Sequence, residues 1–599
     1  MSLQGRRPRW HVLHVVTFLG LFLPLALAAC GGDDTTKSAA PTPTATAIPM
    51  VNMDLGIPKA ALNSPVVGNL PGNTVLHVNV TFKSNEATID KLDTQKVKQG
   101  TPTDVASLAN QLGITDQQYQ QIKSYFGIQD AKLQLSKLHT NLTIDAKASS
   151  LANLLHTTFV YHQYNGRKFF APSTTLQLPK TIVDHILAID GLDSFTQAPK
   201  PGVSRADFRP LSTSGKHGAN DGCTVNGNYL LPQQIASAYG YSSFWKQGYY
   251  GRGTTVILPE MAAYNASDVQ AYLSCVGYRG KLSVYNVAPA PDPNNGGDGQ
   301  LEATLDIEMV AGMAPYANIE VYQTDGNSTQ LSNGSYRDPM HDVLNQIVEN
   351  NTNNQSFKVV SISWGGSELD ATQYWMNIEN NDFQYLTRTE HISVFVASGD
   401  CGAYETRQYP GQIAVQFPSS SPYVIGVGGT ELSVNADGSR ASEVTWSAQP
   451  KQSTCDNTWG SGGGVSQFFQ QPKWQAAVAN AGQNGGREVP DISAVAYNIT
   501  LYAEGQWEYA YGTSAATPIW ASGWSLLNQM LINKTQVYFY GPGTFYEAAA
   551  SGGNTHPFFD IVQGNNLHYD ASAGYDMTSG LGSPNLPELY NVLYPLTKQ

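Results

Sequence analysis

From about Cys223 onward, short apolar runs recur with helical stretches between them. No other feature of the chain limits its fold as tightly. The runs are Thr254–Leu258, Leu282–Val287, Ile319–Tyr322, Val359–Ser363, Ser393–Ala397 and Tyr423–Val427. Between them, Ala266–Cys275, Leu301–Met313, Asp342–Glu349 and Tyr374–Thr387 have helical spacing. A strand that is apolar along its whole length has no face for water and must be covered on both sides. Connecting helices supply that cover, so the expected class is α/β, a doubly wound parallel sheet. Sites in such sheets lie outside the carboxyl ends of the strands.

At 599 residues the chain exceeds one ordinary domain. Residues 70–197 read as a separate α+β unit. Val75–Val80 alternates like a strand, and Thr103–Leu112 and Asp116–Phe126 look helical. Leu151–Leu155 reads as a helix, and Thr157–Tyr164 with Lys168–Phe170 as a hairpin. Pro179–Leu187 reads as a helix led by its proline. No catalytic cluster occurs in this unit. Residues 198–222 are polar and rich in Pro, Ser and Gly, an exposed linker to the 223–599 domain.

Residues 1–30 carry Arg6, Arg7 and Arg9 and then an apolar run, the pattern of a signal peptide. The run ends Leu27-Ala28-Ala29-Cys30-Gly31, which resembles the bacterial lipoprotein cleavage box, with Cys30 as the lipidated residue. Ordinary small-residue cleavage beside an incidental cysteine is the other reading. Residues 31–69 begin as a flexible tether of Thr, Ala, Pro, Asp and Ser. Four cysteines remain: Cys223, Cys275, Cys401 and Cys455. An even number in an exported chain points to two disulfides, and four cysteines allow three pairings. Sequence proximity favours Cys223–Cys275 and Cys401–Cys455.

Charged residues are only 14% and the net charge is −13, which excludes a basic nucleic-acid surface. Acid denatures proteins mainly by protonating carboxylates that the fold relies on. A chain with few of them has less to lose at low pH.

Tyr511-Gly512-Thr513-Ser514-Ala515-Ala516-Thr517-Pro518 joins a Tyr-rich extended stretch to an apolar helix, Ile519–Ile532. Ser514 therefore sits at a helix N-terminus, where free N–H groups favour developing negative charge. A capped helix with small packing residues would look similar. Glu302 and Asp306, four apart on the helix after a Gly-rich loop, share one face. Paired carboxylates can share a proton, so that one acts as a base with raised pKa. A solvated acidic face is the alternative, and Glu308 shows that such residues occur there. Asp400 follows the strand that ends at Ala397, at the catalytic end of the sheet. A turn aspartate would also fit Gly399-Asp400-Cys401-Gly402. Ser361-Ile362-Ser363-Trp364-Gly365-Gly366 ends a strand in the same way, and its glycines permit backbone pairing with an extended peptide.

Taken together, these motifs resemble the sedolisins, or serine-carboxyl peptidases, over residues 70–599 and in family order. The resemblance implies a subtilisin-like fold with an activation prodomain at 70–197 and a processing linker at 198–222. It implies Ser514 as nucleophile, Glu302 as general base and acid, Asp306 as its orienting carboxyl and Asp400 as the oxyanion acid. Glu260 is similar to an acid that extends this network, and Ser363, Trp364 and Gly365 are candidate network or substrate contacts. Asp560-Ile561 and Ser572-Ala573-Gly574-Tyr575-Asp576 resemble the family's calcium loop. There Asp560 and Asp576 would give side-chain ligands, and Ile561, Ser572 and Gly574 carbonyls, to one structural Ca²⁺. Tyr497-Asn498 departs from the family's usual Asp-Pro. The implied partners are protein or peptide substrates and the chain's own prodomain, in a monomer that is extracellular or at the cell surface.

Two other functions stay open on the residues alone. Subtilisin chemistry uses a similar serine motif but needs a His base held by Asp. The one His-Gly here, His217-Gly218, lies in the linker and lacks the Thr-His expected after it. A non-catalytic lipoprotein could also bind peptides or wall material on this scaffold.

Overall fold

The central sheet runs, in spatial order, Leu282–Asn286, Asn318–Gln323, Thr255–Glu260, Lys358–Ile362, Ser393–Ala397, Ile425–Val434 and Arg440–Thr445. Ile492–Val495 also pairs with Ile425–Val434. Pairing is parallel throughout, except that Arg440–Thr445 runs antiparallel to its neighbour. The doubly wound parallel sheet expected from the alternation is found. The computed structural model describes residues 48–94, 96–99, 105–196, 200–201, 209–210, 229–294, 296–326, 337–351, 356–406, 409–447 and 459–598.

Helices lie where the spacing placed them: Ala266–Val276, Asp298–Met313, Pro339–Asn351 and Gln373–Gln384. The last continues as a π-helical turn, Tyr385–Thr389. Asp298–Met313 is buried from Leu301 to Met313. It packs against Thr513–Thr535, which is buried from Thr513 to Leu531. A helix enclosed on all sides carries no amphipathic pattern. That is why its start, at Thr513, lay six residues before the apolar spacing at Ile519.

The first unit has its own core, centred on Leu76, Val78, Val80, Phe82, Leu142, Ile144 and Phe170. One antiparallel sheet is ordered Ile186–Asp190, Val75–Phe82, Asn141–Lys147, Lys132–Leu135. A second joins Val66–Asn69 to the hairpin Phe159–Tyr164 and Arg167–Pro172. Two readings need correction. Pro179 caps a helix only four residues long, Lys180–Val183, and Ile186–Asp190 is a strand. Pairing of Ile186–Asp190 with Val75–Phe82 outweighs its local helical spacing. The tether also ends earlier than residue 69. Met50–Met53 is a strand paired with Leu176–Pro179, and Val66–Asn69 joins the second sheet.

The two units share an interface. Ile89, Leu112 and Leu138 of the first are buried in a cluster with Met340, Leu344 and Trp375 of the second. Arg388 Nε lies 2.8 Å from Asp93, Nη1 lies 3.0 Å from Glu86, and Nη2 pairs with Asp90. Lys96–Lys98 adds a strand to Val537–Phe539. Among the described residues, no helix is long and apolar enough to cross a membrane.

Candidate active site

Ser514 is the second residue of the Thr513–Thr535 helix. The Tyr-rich stretch before it is a hairpin, Ile499–Ala503 with Gln506–Ala510. Gly512, between hairpin and helix, has φ 150° and ψ 151°, a conformation that glycine alone takes readily. Ser514 is fully buried, and its Oγ has no hydrogen-bond partner among the described residues. Its carbonyl oxygen lies 3.3 Å from Ser363 Oγ. That hydroxyl is also 2.8 Å from Asp306 Oδ1. Ser363 comes directly after the Lys358–Ile362 strand, so the sheet's carboxyl end holds it at the helix.

Glu302 and Asp306 project from Asp298–Met313 with no exposed surface. The solvated-face reading is thereby excluded for this pair. Glu260 is the last residue of the Thr255–Glu260 strand and is equally buried. Its Oε2 accepts a hydrogen bond from Trp364 Nε1 at 2.8 Å. Burial pushes the Asp306 carboxyl far above its usual range, and the charge of Glu260 adds to this. Burial raises Glu260 likewise, and Glu302 adds to it, while the Trp364 hydrogen bond works against it. Asp306 Oδ2 and Glu260 Oε1 have no donor among the described residues. A proton held between the two carboxyls satisfies both. The same arrangement lets Asp306 stay neutral beside Glu302.

Asp400 sits on the turn after Ser393–Ala397 and is 6% exposed. Its Oδ1 accepts from the Thr513 N–H at 2.7 Å and from Thr513 Oγ1 at 2.8 Å. Gly399 makes this turn possible at φ +107°. A Cβ there would come within 2.2 Å of Glu405 Oε1 and 2.5 Å of Gln416 Oε1. The loops after three strands thus converge on the start of one helix. Thr513 is a contact that sequence reasoning passed over, although it adjoins Ser514.

Two described pieces of the linker lie in this region. Lys200–Pro201 pairs antiparallel with Gly365 and Trp364, and its backbone also packs on the Asp298–Met313 helix. Arg209–Pro210 pairs with Tyr509 and Glu508 of the hairpin. Backbone pairing at Gly365 was expected of a peptide, and here the chain's own linker makes it.

No histidine described bonds to Ser514. Among the described residues, His77 and His341 pair with aspartates at the interface of the two units instead. His341 Nδ1 is 2.6 Å from Asp382 Oδ2, and its Nε2 meets Asn141 Nδ2 at 2.8 Å. His77 Nδ1 is 2.7 Å from Asp145, and Nε2 is 3.5 Å from Asp342. Nothing in the sequence signals these contacts, because their members lie far apart in the chain. His217 lies outside the described residues.

At the C-terminal loop, Asp560 Oδ2 accepts from the Gly574 N–H at 3.0 Å, and Asp576 Oδ2 from the Ser572 N–H at 2.8 Å. Asp576 Oδ1 takes donors from Thr578 and Ser579. The carbonyls of Ile561, Ser572 and Gly574 accept no hydrogen bond from a described residue. Burial pushes the Asp576 carboxyl up, against the hydrogen bonds it accepts. Two carboxylates with uncommitted carbonyls nearby are the oxygen donor set that Ca²⁺ takes. Among the described residues, no group of three or more His, Cys, Asp or Glu side chains could hold a metal.

No disulfide joins two described cysteines. Cys275 and Cys401 are each disulfide-bonded. Cys223 and Cys455, the partners expected for them, lie outside the described residues, as does Cys30.

Residues 63–195 match the family model for the pro-kumamolisin activation domain, and residues 290–538 match that for the subtilase family. Kumamolisin from a Bacillus species is 30% identical over 449 residues, covering 71% of this chain and 73% of that protein. Sedolisin from a Pseudomonas species is 28% identical over 472 residues, covering 75% and 74%. The solved structure of Pseudomonas sedolisin with two molecules of pseudo-iodotyrostatin superposes with a TM-score of 0.52. It is 26% identical and covers 62% of this chain and 99% of that one.

Proposed function

Because the chain belongs to the sedolisin family, and is a serine-type peptidase made with an activation domain, we propose an acid-active endopeptidase that matures by cutting its own linker. Ser514 is the nucleophile. Glu302 accepts the Ser514 hydroxyl proton as the oxygen attacks the substrate carbonyl. Asp306 orients Glu302, and Glu260 with Trp364 fixes Asp306 from behind. Asp400, protonated, donates to the oxygen that becomes negative in the tetrahedral intermediate. Glu302 then returns the proton to the leaving amine. Water attacks the acyl-enzyme by the same route and regenerates Ser514.

One observation carries this reading. Ser514 sits at a helix N-terminus, its carbonyl meets Ser363, which also donates to Asp306, and the residue before it holds Asp400. The mechanism needs buried carboxyls that can hold protons, and burial raises Asp306 and Glu260 in the required sense.

The linker supports self-processing. Its described pairings, at 200–201 and 209–210, lie on the strand after Ser363 and the hairpin before Ser514. We place the cut between them. A Ca²⁺ held by Asp560, Asp576 and the carbonyls of Ile561, Ser572 and Gly574 would brace the C-terminal loop. The signal-like N-terminus and Cys30 fit an exported, lipid-anchored monomer, with Cys223–Cys275 and Cys401–Cys455 as bridges. Hydrolysis of a protein substrate at about pH 4 by the wild type, and none by Ser514→Ala, is the expected result. Equal activity in the two proteins would contradict the proposal.

A further inference from the structure

We infer that Thr513 is a positioning residue that sets both the direction and the proton affinity of Asp400. The inference rests on the reading of Asp400 as the oxyanion acid. Thr513 presents two donors to one carboxyl oxygen: its N–H and its Oγ1 both reach Asp400 Oδ1, at 2.7 and 2.8 Å. An oxygen that accepts two donors is a poor place for a proton. The acid proton of neutral Asp400 is therefore carried on Oδ2. The carboxyl is held by Oδ1 and offers its hydrogen from the other oxygen.

The same two bonds act on acidity. Donors aimed at a carboxylate favour its ionised form and lower its pKa. Thr513 thus fixes Asp400 in place but limits the pH range in which it stays protonated. The backbone donor cannot be removed by substitution, but the hydroxyl can. The side chain is itself fixed. Gly399 N–H donates to Thr513 Oγ1 at 3.2 Å, and Thr513 is fully buried. The one hydroxyl hydrogen has two acceptors in reach, Asp400 Oδ1 at 2.8 Å and the Gly399 carbonyl at 3.2 Å, and Asp400 is the nearer. Among the described residues, Glu405 lies on the loop of Asp400, and Asp306, with Glu302 one turn before it, is linked to Ser514 through Ser363. Glu405 Oε1 accepts from the Cys401 N–H at 3.0 Å, and that bond does not involve Thr513.

Loss of the hydroxyl has two effects of distinct sign. Asp400 is held less well, so the rate falls. The ionised carboxyl loses a donor, so its pKa rises, and activity persists to higher pH. A substitution that merely loosened the fold would lower the rate without moving the alkaline limb upward.

The test is the pH dependence of kcat/KM for wild type, Thr513→Val, Thr513→Ser and Asp400→Asn, each matured by immobilised wild-type enzyme. For Thr513→Val, kcat/KM should fall about tenfold, and the alkaline limb should move up by roughly one pH unit, the equivalent of one neutral hydrogen bond. Thr513→Ser keeps the hydroxyl and should restore both the rate and the wild-type limb. Asp400→Asn has no acid to titrate and should lose the limb. Should Thr513→Val not fold, Thr513→Ala carries the same expectation. An unmoved limb in Thr513→Val or Thr513→Ala, with the limb lost in Asp400→Asn, overturns the role of Thr513 alone. A limb that persists in Asp400→Asn overturns the oxyanion assignment and the inference with it.

Discussion

Ser363 Oγ stands 3.3 Å from the carbonyl oxygen of Ser514, in the place where a helical N–H would be. The missing donor is residue 518. Helical amides bond to the carbonyl four residues earlier, and Pro518 has no N–H to give Ser514. The proline therefore frees the carbonyl of Ser514, and a serine from the sheet takes it. Ser363 has one hydrogen and two neighbours, Asp306 Oδ1 and the Ser514 carbonyl. Asp306 Oδ1 is the nearer acceptor for that hydrogen at 2.8 Å, and the Ser514 carbonyl at 3.3 Å is the longer contact. Ser363 thus links the acid network to the serine backbone.

Ser363→Ala should therefore cost about 1–3 kcal/mol of stability, because two buried acceptors lose a partner. Pro518→Ala supplies the helical N–H and should recover part of that loss in the double variant. Denaturant unfolding of the four proteins gives the coupling. Strict additivity would show that Pro518 and Ser363 do not act on the same carbonyl.

Self-processing follows from the linker pairings. At acid pH the precursor should shorten to a form whose N-terminus lies between residues 202 and 209. The Ser514→Ala precursor should stay full length. N-terminal sequencing and intact mass decide this, and maturation of purified Ser514→Ala at the wild-type rate would refute it.

Prodomain retention should be proton-linked. For His77, burial alone would lower the pKa, but hydrogen bonds to Asp145 and Asp342 and their charges raise it to about 10. His341 is lowered by burial but raised overall to about 9, chiefly by the charge and hydrogen bond of Asp382; its partners are in its own domain, so this shift does not depend on docking, whereas Asp342 reaches His77 only across the interface. Burial would raise Asp342, yet His77 and Arg337 bring it down to about 2. A histidine raised on docking stabilises fully below its free pKa of about 6.5, and loses this as pH climbs through the docked value. An aspartate lowered on docking stabilises above about 3.9 and loses this as pH falls through the docked value. The complex of prodomain and peptidase domain, with the linker cut in Ser514→Ala by an added protease, should be tightest at about pH 4 to 6.5. It should weaken tenfold or more by pH 8.5. Gel filtration across this range reads the outcome. His77→Gln should flatten the alkaline loss, and an unchanged profile would count against the His77–Asp342 pair.

Calcium, if held at the C-terminal loop, stabilises by mass action, by about 2.7 kcal/mol at a hundredfold excess over its dissociation constant. Chelator should lower the wild-type melting temperature. Asp560→Ala and Asp576→Ala should melt lower and no longer respond to chelator. Identical wild-type melting with and without chelator would remove the site.

Much of this was legible locally. Ser514, Glu302 and Asp400 each lie within a short motif, and the apolar runs around them are the strands that carry the site. What the sequence hid was either enclosed or distant. The first turn of the Thr513–Thr535 helix shows no apolar spacing because the helix is buried on all sides, and only the Gly-Thr-Ser junction marks its start. Ile186 and Leu187 read as the end of a helix because the strand that pairs with Ile186–Asp190 is about a hundred residues away. The interfacial cluster of His77, His341, Asp342 and Asp382 has no local pattern, since its members lie far apart in the chain and His77 joins it only across the interface. Thr513 was visible but ambiguous, because a threonine at a helix start reads first as a cap.

The central claim is that carboxyl groups do the proton chemistry. The most direct measurement is the pH–rate profile of the mature enzyme, wild type beside Glu302→Gln. An unperturbed glutamate titrates near ~4.3 and an aspartate near ~3.9. The wild-type rate should therefore peak in acid. It should fall at higher pH as Asp400 ionises, and at very low pH as Glu302 is protonated before attack. The two limbs belong to the coupled set of acids. Glu302→Gln should lower kcat by about 10²–10⁴-fold at every pH. A maximum at about pH 7 to 8, or near-normal turnover by Glu302→Gln, would contradict the carboxyl mechanism and point back to a histidine base.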